Sequence, residues 1–268
     1  MKRIWVLLIV VLVLLISAIP AAAITNGEMD NEHPNVGLMV ADIDGEPRWR
    51  CSGTLIAPRV FLTAGHCVGD GATAARVWFG QDLNDLEDYP AGGGVAIEGI
   101  PIPHPDYAWV FPDPHDVGVV ILDEAVEGLP FATLPAENLL SELHKDGLLE
   151  GKRRESVYFT SVGYGLQLSW PPHLFAYDLF RMTSQSEYVA MNEVYLRLTQ
   201  KMVFDEEGSC SGDSGGPVFW MDPEGNEILV AVTSAGDGAC MATGFDYRLD
   251  IPEIRAWILE QVALAEEN

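Results

Sequence analysis

Cys-Ser-Gly-Asp-Ser-Gly-Gly-Pro, residues 210–217, is the stretch on which the reading of this chain turns. Glycines on both sides of Ser214 allow a tight turn that pushes its hydroxyl out of the backbone. A serine hydroxyl is a weak nucleophile at its ordinary pKa and needs a positioned base. Upstream, Thr63-Ala64-Gly65-His66-Cys67 supplies His66, whose imidazole titrates near neutral pH and can take and return a proton. Between the two, Asp116 opens the apolar run Val117–Leu122, which would hold a carboxylate in the interior. Asp106 and Asp113, in a proline-rich loop, and Asp123, beyond the run, are its rivals.

These three segments, in the order His, Asp, Ser, resemble the chymotrypsin/trypsin-like serine peptidases, over residues 24–268. Subtilisins and α/β-hydrolases use other orders. Gly65 stands where that family more often has Ala. The resemblance implies an all-β fold: two six-stranded antiparallel β-barrels with a C-terminal helix, the boundary between them near residue 135. It implies Ser214 as nucleophile, His66 as base and Asp116 as the group that fixes the imidazole, the division of labour of the well-known triad. The N–H groups of Gly212 and Ser214 would form an oxyanion hole on the same turn. Hydrolysis of protein or peptide substrates follows as the expected activity. The rivals are a non-catalytic homologue, which would usually lack one of the three residues, and an esterase using the same triad.

The resemblance carries further expectations. Ile24-Thr25-Asn26-Gly27 resembles the family's mature N-terminus, so a new ammonium at Ile24 would pair with Asp213. Trp49 stands where precursors often keep a histidine for that aspartate, which suggests activity without a precursor stage. Four cysteines allow three pairings, and the family pattern selects Cys51–Cys67 and Cys210–Cys240. A zinc site is the competing reading of the cysteines, but no Cys-x-x-Cys or metal-type histidine spacing is present. The substrate pocket would be built from Gly208, Ser209, Ser234, Gly236, Gly244 and Asp246. Gly208 gives a neutral floor and the glycines leave open walls, so aromatic or large apolar side chains are expected. If Asp246 enters the pocket, Lys or Arg would be preferred instead. No cofactor and no metal are expected; calcium at Asp82, Asp85, Glu87 and Asp88 is the remaining option, against a solvated acidic run.

The N-terminus reads as a secretion signal. Lys2 and Arg3 precede the apolar stretch Ile4–Ile16, and Ala21-Ala22-Ala23 offers a small-residue cleavage site at residue 23. An uncleaved anchor is the alternative, since residues 4–23 carry no charge and about 20 apolar residues can span a bilayer. With 40 acidic against 15 basic residues the chain has a net charge of −25. That excludes a nucleic-acid partner and fits a soluble, secreted, extracellular monomer with no stable membrane association after cleavage.

Short β-rich runs punctuated by Gly, Pro and Asp recur at Val36–Val40, Thr54–Ile56, Arg76–Phe79, Val117–Leu122, Ser156–Val162, Glu193–Leu198, Val218–Trp220 and Ile228–Thr233. Many short strands of this kind indicate a barrel or sandwich. After Pro252, residues Ile254, Trp257, Ile258 and Val262 share one helical face. Glu137–Leu149 forms a second helical patch, and residues 166–190 show no regular pattern.

Overall fold

A computed structural model describes residues 24, 27–110, 112–150, 156–169, 174–176, 178–201 and 207–267. Residues 1–23, read from sequence as a secretion signal, lie outside the described residues. Among the described residues no helix is long and apolar enough to cross a membrane.

Two closed antiparallel barrels make up the body. Strands β2 (Val36–Ile43), β3 (Glu46–Ala57), β4 (Val60–Thr63), β5 (Ala72–Phe79), β6 (Ile97–Pro103) and β7 (Gly118–Leu122) close in the order β2-β3-β4-β7-β6-β5. A single helical turn, α1 (Gly65–Val68), follows β4. The second barrel contains β8 (Tyr158–Gly163), β11 (Met182–Met191), β12 (Tyr195–Thr199), β13 (Pro217–Met221), β14 (Glu227–Gly236) and β15 (Thr243–Arg248), closed by pairing of β8 with both β11 and β13. The short strand β1 (Glu28–Met29) adds to β11, and β9 (Gln167–Ser169) pairs with β10 (Leu174–Ala176) as a separate hairpin. The chain passes between the barrels at Ala132, which donates to Leu55, and Thr133, which accepts from Leu229. The helix α2 (Leu139–Lys145) lies in this connection, and α3 (Pro252–Glu266) ends the fold.

Strands buried on both faces explain why the apolar runs show so little alternation. In β2, Val36, Leu38 and Val40 point to the seam between the barrels, while Met39 and Ala41 fill the first barrel. The seam collects residues of both barrels with Ile254, Trp257 and Ile258 of α3. Cys51 and Cys67 are bonded inside the first barrel's core, with Cα atoms 6.2 Å apart. Cys210 and Cys240 are bonded beside Leu166, with Cα atoms 5.4 Å apart.

Among the barrel strands β4, β6, β11 and β15 escape the sequence pattern, the last three for identifiable reasons. β6 carries Pro101 and Pro103, which pair only with β7; the pairing of β6 with β5 stops at Gly99. Proline is tolerated where one edge of a strand is free. β11 falls inside the unpatterned stretch because it turns Ser184 and Ser186, not apolar groups, inward. β15 buries Asp246 and Arg248.

A buried ionic cluster clamps the start of the described chain to the second barrel. Asp30 accepts from Arg181 at 2.7 Å and pairs with His33 at 2.6 Å, and His33 also meets Glu227 at 3.1 Å. Burial pushes the Asp30 carboxyl up, but the hydrogen bond and charge of His33, with Arg181, outweigh it and bring it down to about 2. Burial likewise pushes His33 down, and Asp30 and Glu227 outweigh it, so its net shift is upward. A depressed acid stabilises above its unfolded value and loses that contribution as pH falls through the folded one; a raised histidine stabilises below about 6.5 and loses its contribution as pH rises. The cluster therefore contributes most between about pH 4 and 6.5. Asp30→Asn should cost about 3 kcal/mol or more in urea unfolding at pH 5.5, since it orphans buried partners, and much less near pH 2. A loss that does not change with pH would contradict this account.

Candidate active site

His66 sits on α1, directly after β4, and Asp116 directly precedes β7, which pairs with β4. That pairing brings the two residues together across 50 positions of sequence. The Asp116 side chain is fully buried and accepts three donors: the His66 N–H at 2.8 Å, His66 Nδ1 at 2.9 Å, and Ser234 Oγ at 2.6 Å. Two donors come from the first barrel and one from β14 of the second. The three rivals are placed elsewhere: Asp113 accepts from Tyr247 and from the His115 N–H, while Asp106 and Asp123 are exposed. His66 keeps a quarter of its side-chain surface, 25%, exposed, with the Trp109 ring packed edge-on at 5.7 Å. Gly65 lacks the usual methyl because a Cβ there would lie 2.7 Å from the Tyr107 ring.

The serine turn is pinned from both barrels. Ser52 N–H donates to the Ser214 carbonyl at 2.8 Å, Ser52 Oγ to the Gly212 carbonyl at 3.0 Å, and Gly215 N–H to Thr233 at 2.7 Å. Gly212 has φ +99° and Gly215 φ +76°, a region costly for a side chain. A Cβ on Gly215 would collide with Thr63 Oγ1 and stand 2.6 Å from the Ala64 nitrogen. This close approach seats half-buried Ser214 against the segment that carries His66. Among the described residues, neither the Gly212 nor the Ser214 N–H donates to a protein acceptor.

Asp213, next to the serine, is buried and accepts the N–H groups of Gly165 and Cys210, each at 2.8 Å. Burial pushes its carboxyl up to about 6; these two bonds and the Arg50 charge only partly oppose that. No ion pair to Asp213 is present among the described residues. Ile24 is buried, packed with Met182 and Phe180. Met182 pairs with Gly163, and a Cβ on Gly163 would collide with an Asp213 oxygen.

The pocket beside Ser214 is a cavity of about 130 Å³ whose wall includes Ser209, Ser234 and Gly236. Gly208, Gly244 and Asp246 do not line it, contrary to the sequence expectation. The reason is Gln200, which follows β12 and turns its side chain into the space that the glycines leave. A Cβ on Gly208 would lie 2.5 Å from Gln200 Cγ, and one on Gly244 2.9 Å from Nε2. Asp246 lies on the same face of β15 as Gly244, buried, its carboxyl pushed up to about 7 by burial against a hydrogen bond from Thr233. Nothing in the local sequence around Gln200 marks it as a pocket residue. A second, larger cavity of about 510 Å³, lined by Trp109, Val110, Tyr195, Ala235 and Phe245, adjoins the same strand edge at Gly236.

The acidic run at residues 82–88 does not converge on one point. Asp88 accepts from Trp78, Val95 and Ala96, and Asp82 from Asn84. Among the described residues the groups close enough to share an ion are Asp113, His115 and Glu253, and the disulfide cysteines with His66.

A double barrel with this His–Asp pair and serine turn defines the chymotrypsin-like class. The sequence profile described as Trypsin matches residues 24–258, and the chain belongs to the trypsin family of serine-type endopeptidases. It is 29% identical to Trypsin 5G1 of Aedes aegypti, over 78% of this chain and 74% of that protein. It is 26% identical to Serine proteinase stubble of Drosophila melanogaster, over 80% of this chain but only 27% of that protein. The solved structure of HL collagenase superposes with a TM-score of 0.66 at 20% identity, covering 90% of this chain and 99% of that one.

Gly215→Ala should lower stability by about 3 kcal/mol, from the left-handed backbone and the collision at Thr63 together. Urea unfolding measures it; an unchanged midpoint would mean the serine turn is not held by this contact.

Proposed function

We propose that the chain is a secreted endopeptidase that cleaves peptide bonds through an acyl-enzyme formed on Ser214. The observation that carries the proposal is the union of His66, Asp116 and the Ser214 turn at the barrel seam. In this reading His66 takes the Ser214 proton as the hydroxyl attacks the carbonyl, and returns it to the departing amine. Asp116 holds the imidazole through Nδ1 and stabilises it when it is charged. The N–H groups of Gly212 and Ser214 receive the oxyanion. Water then attacks the acyl-enzyme by the same proton path. The pocket beside Ser214 would take the side chain just before the scissile bond, and the larger apolar cavity beside Gly236 one further along the substrate.

In the uncut chain Asp213 is a buried carboxylate short of a cation. Release of an ammonium at Ile24 would supply one and firm up the adjacent Gly212–Ser214 turn. The apolar leader and the alanines before Ile24 support export with cleavage at that point.

The test is covalent labelling of purified protein with a serine-directed phosphonate, mapped by peptide mass. Label at Ser214 and cleavage of a peptide library are expected, against ester hydrolysis alone for an esterase. Ser214→Ala and His66→Ala should each lower kcat/KM by about 10⁴-fold or more, since the group acts as a unit; near-native turnover in either variant would defeat the assignment. N-terminal sequencing of the exported protein should read from Ile24. Active protein that starts well upstream would remove the role given to the Ile24 ammonium.

A further inference from the structure

We infer that Gln200 is the specificity-determining residue of the pocket beside Ser214, making it shallow and selective for short side chains that donate a hydrogen bond. The inference rests on the endopeptidase reading and refines its substrate class. Its Nε2 donates to the Ser209 carbonyl at 2.7 Å and to Ser209 Oγ at 3.0 Å, which fixes the carboxamide plane. That leaves Oε1 without a hydrogen-bond partner among the described residues, although Gln200 is only 3% exposed. Oε1 faces Gly236, 3.3 Å from where a Cβ on that wall residue would stand. A buried carbonyl that has lost water and gained no donor is an unmet acceptor.

The geometry selects among ligands. Gln200 fills the depth that Gly208, Gly236 and Gly244 would otherwise open, so a long or aromatic side chain meets the carboxamide before it is fully buried. An apolar group of any size leaves Oε1 unpaired. A lysine or arginine is too long for this depth; Asp237, on the cavity wall, is held by the N–H groups of Met241, Ala242 and Thr243. Serine, threonine and asparagine fit the depth and bring the donor. Ser209 and Ser234 add hydroxyls on the walls.

The experiment is a library of peptides that differ only in the residue before the scissile bond, read as ratios of kcat/KM. Wild type should favour Ser, Thr and Asn over Phe, Tyr, Lys and Arg by tenfold or more. Gln200→Met keeps the bulk but removes the acceptor; it should cost the preference for Ser, Thr and Asn over Ala and Val while still disfavouring Phe. Gln200→Ala should open the pocket and raise cleavage after Phe or Leu by tenfold or more relative to Asn. Phosphonate labelling of Ser214 checks that each variant is folded. A wild type that prefers aromatic or cationic residues, or a profile unchanged across the labelled variants, overturns the inference while leaving the peptidase reading intact. A phosphonate-labelled wild type that cuts no peptide overturns both.

Discussion

The buried carboxylate of Asp116 is the point through which the two barrels communicate. A charge with no solvent exposure is tolerable only when donors replace its water. Here they come from both sides of the seam: two from His66, in the first barrel, and one from Ser234, in the second. The barrels are thus held in the relation that sets the imidazole beside the serine turn. That turn is fixed in the same way, since Ser52 of β3 and Thr233 beside β14's bulge both bond its backbone. The site belongs to neither barrel alone.

Asp213 presents the contrasting case. It is as deeply enclosed as Asp116, but among the described residues its oxygens meet two backbone N–H groups and no ion-paired cation. Burial pushes its carboxyl up to about 6, and those two bonds and the Arg50 charge only partly oppose it. One aspartate is held by donors from both barrels, and the other by backbone N–H groups alone.

Three arginines are buried in ion pairs. Arg76 pairs with Asp42 in the first barrel, Arg181 with Asp30 at the start of β11, and Arg248 with Asp250 below α2. Arg248 also reaches Asn192 and Ser141, and Asp250 receives the Leu140 N–H, so one ionic group joins β15, β12's leading turn and the start of α2. Among the described residues, few of the other acidic groups have an ion-pair partner.

The chemistry-bearing motifs were legible because tight turns demand particular residues locally. Gly212 and Gly215 need left-handed backbone, and His66 and Ser214 cannot be exchanged for other residue types. The apolar runs that form β2, β7 and β14, and the one-sided helix after Pro252, were legible from their hydrophobic pattern. β6, β11 and β15 were not, because prolines, serines and buried ionic groups replace apolar alternation once neighbouring strands satisfy them. The pocket was decided only by the tertiary structure. Gly208, Gly236 and Gly244 read as open space in sequence, and whether that space is empty depends on which side chain the closed barrel turns into it. Gln200 stands eight residues before Gly208 in the chain but reaches Gly208, Gly236 and Gly244 across three strands' ends, a meeting that packing alone creates.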